Sequence, residues 1–364
     1  MPIKDEYVDE FAIIYSDKLK EYDLGHVLTH DRYQNFIDLF EEKLGDHPSF
    51  EVVTPPYATH EDLRLIHTEA YIQRIERCEG IDPYDTPLSP GLVRAAKLLA
   101  GAGKTAGELV QSESCKKAFV IGGGVQHANR EREKGFGVFS DVGICAENLL
   151  RHFGLERILV IDTDAHAGEG LYEIFSTDSR VLFLSIHQDP RTVYPGKGFV
   201  HEIGDGEGTG YSVNIPLSPG STARTYEYVL TEIFTPLAEE FRPQMILMVD
   251  GTDPHFTDRI TQMGMTLEGI SLVGSLIGRT ADKICQGKIV GFVGSGYSSN
   301  PQIVSLGWLA SIVGVTGIEL FLEEPEPIPA ELQMDLGMKE AKDVVREIQV
   351  RLSPYWKCFA ERTF

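Results

Sequence analysis

The sequence predicts an α/β protein built as a single-domain, three-layer sandwich, with a mostly parallel central sheet flanked by helices. Short apolar runs alternate with helical segments through most of the chain, which is typical of parallel sheets covered by helices on both faces. The 364 residues are enough for one large α/β domain or two ordinary ones. No internal repeat or low-complexity linker divides the chain, so we expect one domain over residues 1–364.

The N-terminal part of the chain predicts two strands and two helices. They are a strand at FAIIYS, an amphipathic helix starting near Asp31, a short strand at FEVVTPP and a helix at HEDLRLIHTEAYIQRIERC. In the last of these, His60 and His67 are expected to cap the helix or to pack in the core. The next segment, GIDPYDTPLSPG, is rich in Pro, Gly and Asp, so we expect a loop that links elements or borders a site.

Strict alternation begins after the small-residue helix LVRAAKLLAGAGKTAGELV. The predicted strands that follow are AFVIGGG, RILVIDTD, RVLFLSIHQ, QMILMVDG and KIVGFVGSGY, with helical segments between most of them. The acidic, proline-bearing EEPEPIPAE leads to a last helix, AKDVVREIQVRL. This order indicates βαβ units and therefore a parallel sheet.

The charge balance argues against direct binding of nucleic acid. The chain has 33 basic and 55 acidic residues, a formal net charge of −22. A field of this sign repels phosphates and attracts a cationic substrate. Ordinary surface solvation, or adaptation to a salty cytoplasm, explains the same charge.

The cysteines and the N-terminal segment indicate a cytoplasmic protein. The five cysteines are scattered, with no CxxC pair, which is typical of reduced intracellular thiols and offers no cysteine zinc cage. The polar and acidic start, MPIKDEYVDEF, does not resemble a secretion signal. Residues 289–318 carry no formal charge, but GSGYSSNPQ interrupts them, so we expect a strand, a loop and a helix rather than a membrane span.

The segment RILVIDTDAHAGEG, residues 157–170, carries the first chemical signal. Its apolar run is followed directly by Asp162, Asp164 and His166. In an extended chain, residues two apart point the same way, so these side chains would project together from the carboxyl end of a strand, where α/β sheets bind ligands. Asp and His without a thiol suit a divalent metal such as zinc. By itself, the segment is equally compatible with a polar loop that has capping aspartates.

Other predicted strands also end in residues able to bind a metal or move a proton. These residues are Gln126, His127, Ser185, His187, Asp253 and Tyr297. One site at the carboxyl edge of one sheet explains them most simply. Asp253 could be a third ligand, which leaves a coordination position for a water nucleophile. A histidine held by a carboxylate could take the proton, and a tyrosine could stabilise the oxyanion, so we expect hydrolysis of a carbonyl compound such as an amide.

Six motifs in order resemble those of the histone deacetylase superfamily. They are GGGVQHA, GFGVFSD, DTDAHAGEG, YPGKG, DGTDP and GSGY. The region through HTEAYIQRI is similar to the acetoin-utilisation and the bacterial or archaeal deacetylase-like branches. The resemblance spans nearly the whole chain and implies the arginase/deacetylase fold.

The resemblance also implies roles for the residues at the strand ends. Asp164, His166 and Asp253 match the zinc ligands. Tyr297 matches the tyrosine that polarises the acyl carbonyl, and His127 matches the general base that then acts as general acid. Glu169 stands where the family has the Asp or Asn that orients this histidine.

The resemblance further implies a substrate tunnel and a second cation site. Phe136, which follows Gly135 in the Gly-Phe segment, and Tyr194 match the aromatic tunnel walls, and Asp85 matches a rim aspartate that holds the substrate backbone. A buried monovalent-cation site, taken as K⁺, would use the side chains or main chain of Asp162, Asp164, His166, Ser185 and Ile186. His187 is expected to be a packed strand-end histidine rather than a ligand.

Three positions depart from the family pattern. Gln126 replaces the first histidine of the family pair, and glutamine cannot exchange a proton near pH 7, although it can donate a hydrogen bond. Ala167 replaces the histidine that usually follows the metal-ligating one. Glu169 is one methylene longer than the usual Asp, so its contact with His127 must be arranged differently. None of these changes removes a zinc ligand or Tyr297.

We therefore expect a zinc-dependent amidohydrolase that removes an acetyl or similar acyl group from a lysine-like or polyamine amine. A dinuclear manganese hydrolase of the arginase or agmatinase type is an alternative, but it needs about six metal ligands, whereas the sequence offers three. A deacetylase-fold binding protein, with catalysis impaired at Gln126, is the non-enzymatic alternative.

Overall fold

The computed structural model describes residues 10–25 and 27–360, and its centre is an eight-stranded sheet. The strands are β1 (Phe11–Ile14), β2 (Phe50–Val53), β3 (Lys117–Ile121), β4 (Ile158–Asp162), β5 (Val181–Gln188), β6 (Ser212–Leu217), β7 (Met245–Gly251) and β8 (Ile289–Ser295). Their order across the sheet is β2-β1-β3-β8-β7-β4-β5-β6, and every neighbouring pair is parallel. The predicted α/β class is confirmed, with a sheet that is wholly rather than mostly parallel.

Helices connect the strands and cover the sheet. They are α1 (Asp31–Leu44), α2 (His60–Leu63), α3 (Glu69–Glu76), α4 (Pro90–Gln111), α5 (Asp141–His152), α6 (Glu169–Phe175), α7 (Ala223–Val229), α8 (Thr235–Phe241), α9 (Leu267–Cys285), α10 (Pro301–Thr316), α11 (Met338–Leu352) and α12 (Lys357–Ala360). A π-helical turn joins α7 to α8. The long helix α4 packs on β1, β3 and β8, and α10 packs on β7 and β8. Among the described residues, we find no helix with the length and apolar character that a membrane span requires.

The apolar composition of the strands follows from their burial on both faces. Every residue of β3, β4, β5 and β7 is buried, whereas the edge strand β2 is partly exposed. Parallel strands covered by helices on both sides read as continuous apolar runs rather than as alternating patterns. The five predicted apolar strands are therefore the central part of the observed sheet.

Two parts of the prediction need correction. Strand β6 was not expected, because it follows a glycine-rich loop and contains Pro216. Proline cannot donate to a sheet ladder, but among the described strands β6 lies at the edge and pairs only with β5, so the missing donor costs little. The helix predicted from His60 onward is also divided into α2 and α3.

The strand order positions the polar strand ends. Strands β3, β8, β7 and β4 are consecutive neighbours at the centre of the sheet. Because all of them are parallel, their carboxyl ends meet at one edge. The residues after these four strands therefore come together, although they span more than a third of the chain.

Candidate metal and catalytic site

Three buried side chains form a candidate metal centre. One ligand atom from each of Asp164, His166 and Asp253 lies within 4.8 Å of the others. Asp164 and His166 follow β4, and Asp253 follows β7, the strand paired with β4. The structure thus brings the three predicted ligands together, as the spacing within DTDAH and the position of Asp253 indicate.

The two carboxylates of this centre are held by short hydrogen bonds. The His166 main-chain N–H donates to Asp164 Oδ1 at 2.7 Å, and Ala165 N–H donates to Asp253 Oδ1 at 3.1 Å. The Ser295 hydroxyl lies 2.9 Å from Asp253 Oδ1. The imidazole Nδ1 of His166 is 2.8 Å from Asp253 Oδ2. Main-chain donors and one hydroxyl therefore fix the carboxylates, so their remaining oxygens can face a cation.

The electrostatics of the cluster favour a positive charge. Burial, followed by the nearby Asp164 charge, raises the pKa of Asp253 to about 8. Burial opposes ionisation of Asp164 as well, but hydrogen bonding and attraction to His166 hold the pKa of Asp164 below its usual range. Two buried carboxylates beside one imidazole form an oxygen and nitrogen donor set that fits a divalent ion such as zinc.

The residues of the predicted monovalent-cation site lie behind this cluster. Asp162 is fully buried, its Oδ1 accepts from Asp164 N–H at 3.1 Å, and its Oδ2 has no hydrogen-bond partner among the described residues. Burial and the Asp164 charge raise the pKa of Asp162 well above its usual value. Ser185 is the register partner of Asp162 on β5, and Ile186 follows it. An unpartnered buried oxygen of this kind fits a cation.

His187 packs as expected for a strand-end histidine. It is fully buried, its Nδ1 lies 2.9 Å from the Ser185 hydroxyl, and its Nε2 lies 2.9 Å from the Gly198 carbonyl oxygen. Burial lowers the pKa of His187 to about 4. It does not belong to the cluster of Asp164, His166 and Asp253.

A second polar cluster lies beside the candidate metal centre. His127 Nδ1 is 2.6 Å from Glu169 Oε2, and both side chains are buried. Lys134 Nζ is 2.6 Å from Glu169 Oε1. Burial disfavours the Glu169 charge, but His127 and Lys134 together hold the pKa of Glu169 below its usual value. The longer side chain of Glu169 therefore reaches His127 as the resemblance requires and also binds a lysine.

Tyr297 follows β8 and is held by two further residues. Its main-chain N–H donates to Asp258 Oδ2 at 2.7 Å. The Arg32 guanidinium lies 5.6 Å from the centre of its ring. Burial, then Asp253 and Asp164, raise the pKa of Tyr297 well above 10, so its hydroxyl stays protonated near neutral pH.

A cavity of about 440 Å³ brings both clusters into contact with solvent. Its lining includes the predicted site residues Gln126, His127, Asp164, His166, Tyr297, Phe136, Tyr194, Asp85 and Gly135. The Phe136 ring lies 5.9 Å from the Tyr297 ring, and the Tyr194 ring lies 5.2 Å from the His127 ring. Asp85 Oδ2 is 3.5 Å from the Phe136 N–H. The four residues predicted to contact substrate therefore surround the cavity.

Sequence reasoning missed Lys134, Asp258 and Arg32. Lys134 immediately precedes the Gly-Phe segment, and Asp258 lies five residues after Asp253, so proximity to a motif is the signal that could have singled them out. Their charges alone do not distinguish them from surface residues. Their partners come from distant parts of the chain.

The fold and the donor cluster define an α/β protein with a candidate divalent-metal site at the carboxyl edge of a parallel sheet. Residues 26–313 match the histone deacetylase domain family. The chain is 36% identical over 329 residues to a probable deacetylase of Archaeoglobus fulgidus, covering 88% of this chain and 90% of that protein. It is 32% identical over 305 residues to the acetoin utilization protein AcuC of Bacillus subtilis, covering 80% of this chain and 76% of AcuC.

The structure also resembles the crystal structure of the HD domain of HDA15. The TM-score is 0.83 at 21% identity, covering 97% of each chain, which shows a shared fold. With the match over residues 26–313, the protein belongs to the histone deacetylase family. It is accordingly a deacetylase-family hydrolase with the arginase/deacetylase fold.

Proposed function

We propose that this protein is a zinc-dependent deacylase that hydrolyses the acyl amide of a lysine-like or polyamine amine. The observation that carries the proposal is the convergence, around one cavity, of Asp164, His166, Tyr297 and the base His127. The third ligand, Asp253, lies directly beside the first two. The names of the relatives, a probable deacetylase and an acetoin utilization protein, agree with deacylation but define no substrate for this chain.

Asp164, His166 and Asp253 would hold the zinc, and K⁺ would bind at Asp162 and Ser185. Three protein ligands leave a coordination position open, which is typical of catalytic rather than structural zinc. Zinc bound there supplies Lewis acidity and lowers the pKa of a water molecule.

The chain's own side chains then carry the proton transfers. Because Nδ1 of His127 is bound to Glu169, Nε2 is the atom that takes a proton from the attacking water. Glu169 stabilises the imidazolium that results, and His127 returns the proton to the leaving amine. The protonated Tyr297 hydroxyl donates to the oxyanion. Gln126 donates a hydrogen bond from its amide and moves no proton.

The walls of the cavity suit a linear substrate. Phe136 and Tyr194 supply apolar ring surface for an alkyl chain, while Asp85 supplies an acceptor near the rim. The net charge of −22 favours a substrate with cationic groups and disfavours direct binding of nucleic acid. The scattered cysteines accord with action in the cytoplasm.

The decisive experiment is zinc-dependent turnover. The purified protein is stripped with a chelator, reloaded with zinc and assayed on acetyl-lysine and acetylpolyamine probes. We expect turnover that needs zinc and that His127→Ala lowers about 10³-fold. If the wild type and His127→Ala are equally inert across a panel of acyl groups, the enzyme proposal fails and the binding-protein alternative, suggested by Gln126, is favoured.

Metal content separates the proposal from a dinuclear manganese hydrolase. Within residues 10–25 and 27–360, Asp164, His166 and Asp253 form the one group of at least three clustered metal-competent side chains. We therefore expect one divalent ion per chain. Two manganese ions per chain at full occupancy would contradict the mononuclear proposal.

A further inference from the structure

Lys134 forms the outer end of a continuous chain of polar contacts that leads to His127. Its Nζ is 2.6 Å from Glu169 Oε1, and Glu169 Oε2 is 2.6 Å from His127 Nδ1. The Glu169 side chain is 3% exposed, whereas that of Lys134 is 27% exposed. One carboxylate thus joins a buried histidine to a partly exposed lysine next to the cavity-lining Gly135.

A tight turn fixes the backbone from which Lys134 extends. The Lys134 N–H donates to the Gly137 carbonyl oxygen at 3.0 Å, and the Gly137 N–H donates to the Lys134 carbonyl oxygen at 2.9 Å. The two residues between them, Gly135 and Phe136, have φ of +55° and +68°. A pair of positive φ angles is typical of the two-residue turns that close β-hairpins.

The same turn packs directly against the histidine. A Cβ at Gly135 would lie 2.3 Å from Cδ2 of His127, so any larger residue there would collide with the ring. The turn therefore places Gly135 against His127, Phe136 on the cavity wall and Lys134 on Glu169. One short segment supports the base both by contact and through the carboxylate.

Glu169 needs this second partner because of its length and its burial. A glutamate has one more rotatable bond than an aspartate, so a single hydrogen bond to His127 restricts it less. It also opens helix α6 after Gly168, which provides no side-chain cap. Glu169 Oε1 is buried and has no hydrogen-bond partner among the described residues, so the ion pair with Lys134 is what compensates its charge there. Loss of that ion pair favours rotation of the side chain away from His127.

Lys134 also balances charge in a crowded acidic region. Asp164 and Asp253 lie beside His166, and the centre of the His166 ring is 6.0 Å from that of the His127 ring. A paired Lys134 and Glu169 add no net charge to this region. The Tyr194 ring, 5.5 Å from Lys134 Nζ, provides a further favourable contact for the ammonium.

We propose that Lys134 is a positioning residue that acts through Glu169, holding its carboxylate so that His127 keeps the orientation required for proton transfer. The proposal rests on the proposed deacylase function for its kinetic consequences. Its structural content, an ordered hydrogen bond between His127 and Glu169, is independent of turnover.

The kinetic test compares Lys134→Met with two matched variants. Lys134→Arg keeps the charge, and Lys197→Met removes a lysine whose Nζ lies 3.2 Å from Glu173, an exposed glutamate on the same helix. We expect Lys134→Met to lower kcat about 10- to 100-fold, with KM changed less than about twofold. Lys134→Arg should keep most of the wild-type activity, and Lys197→Met should match the wild type.

A double variant tests whether Lys134 acts through Glu169. In a Glu169→Gln background, Lys134→Met should cause no further loss, because the contact that it removes is already broken. An equal loss in both backgrounds, or a loss that Lys134→Arg does not restore, would overturn the proposal. Thermal unfolding of each variant shows whether it is folded, and Lys134→Gln replaces Lys134→Met if the latter is not.

Nuclear magnetic resonance of the metal-free protein provides a readout without turnover. The Nδ1 proton of His127, assigned by its loss in His127→Ala, should resonate far downfield in the wild type, Lys134→Arg and Lys197→Met, and should shift or exchange away in Lys134→Met. An unchanged signal in Lys134→Met would contradict the proposal. If the wild type turns over no acyl probe but the signal behaves as expected, the proposed function fails and the role of Lys134 stands.

Discussion

The candidate metal centre and the neighbouring polar cluster of His127, Glu169 and Lys134 both reach the same cavity, through Asp164 and His166 and through His127, but are built differently. Asp164, His166 and Asp253 are short side chains next to strand ends, and main-chain N–H groups hold both carboxylates. Glu169 and Lys134 are long side chains that depend on each other through an ion pair. A carboxylate held by main-chain N–H groups can adopt few other orientations. A long side chain held by another side chain keeps its orientation only while that partner is present. Of the three unusual residues, Glu169 belongs to the second cluster and Gln126 directly precedes its histidine, whereas Ala167 directly follows His166.

The largest effect is expected from a substitution that disrupts the candidate metal centre alone. Asp253→Asn keeps the shape of the side chain but removes a charge from the three-residue donor set. We expect loss of bound zinc and a fall in kcat/KM of about 10⁴-fold, equivalent to about 5.5 kcal/mol. Metal analysis and steady-state kinetics measure the two effects, with the exposed Asp343→Asn on α11 as the control. Full zinc occupancy in Asp253→Asn would show that the donor set is wrongly assigned.

The next largest effect is expected from a substitution that disrupts the polar cluster of His127, Glu169 and Lys134 but leaves the metal ligands unchanged. His127→Ala should lower kcat/KM about 10³-fold, because no other side chain in the proposed mechanism moves the proton. Zinc content should equal that of the wild type, since His127 is not part of the donor set. If His127→Ala also loses zinc, the two clusters are not separable as described.

Tyr297→Phe tests a residue that lines the cavity reached by both clusters. Removal of the hydroxyl should lower kcat about 10²-fold through the lost hydrogen bond to the oxyanion, with zinc retained. The Asp258 contact is made by the main chain of Tyr297, so the loop should keep its position. Wild-type kcat in this variant would remove Tyr297 from the mechanism.

The smallest effect concerns the framework beneath the clusters rather than the site. His67 is buried, its Nε2 accepts from Ser140 N–H at 3.0 Å, and burial lowers the pKa of His67 to about 3. The unfolded chain, where the pKa is about 6.5, therefore binds a proton that the folded chain does not, and stability falls as pH falls below about 6.5. Between pH 7 and pH 5 this histidine should remove about 2 kcal/mol from the free energy of unfolding.

Urea denaturation of the metal-free wild type and of His67→Gln at both pH values measures this difference. The loss of stability between pH 7 and pH 5 should be smaller in His67→Gln by about that amount, because the glutamine does not titrate. Equal losses in the two proteins would mean that the buried His67 accepts a proton in the folded state.

The sequence predicted best what depends on local pattern. Apolar runs located the central strands, and the two-residue spacing in DTDAH predicted that Asp164 and His166 would share a side. Strand β6 was not predicted because it contains Pro216. A strand tolerates a proline when it lies at the sheet edge, and the sequence does not show that position. The contacts of Lys134 with Glu169 and of Asp258 with Tyr297 join residues 35 and 39 positions apart through loops, and no periodicity encodes them. Family resemblance, not pattern, pointed to Phe136, Tyr194 and Asp85.

The position of β8 within the sheet has a consequence for how the site is assembled during synthesis. Among the described residues, β8 is the last strand along the chain, yet it lies between β3 and β7 and joins two groups of strands that do not otherwise pair. Gln126 and His127 follow β3 in one group, while the metal-competent residues follow β4 and β7 in the other. Until residues 289–295 have left the ribosome and paired, Gln126 and His127 therefore follow a group of strands that no described strand pairing links to the group carrying Asp164, His166 and Asp253. The site is completed only when the final strand inserts between them.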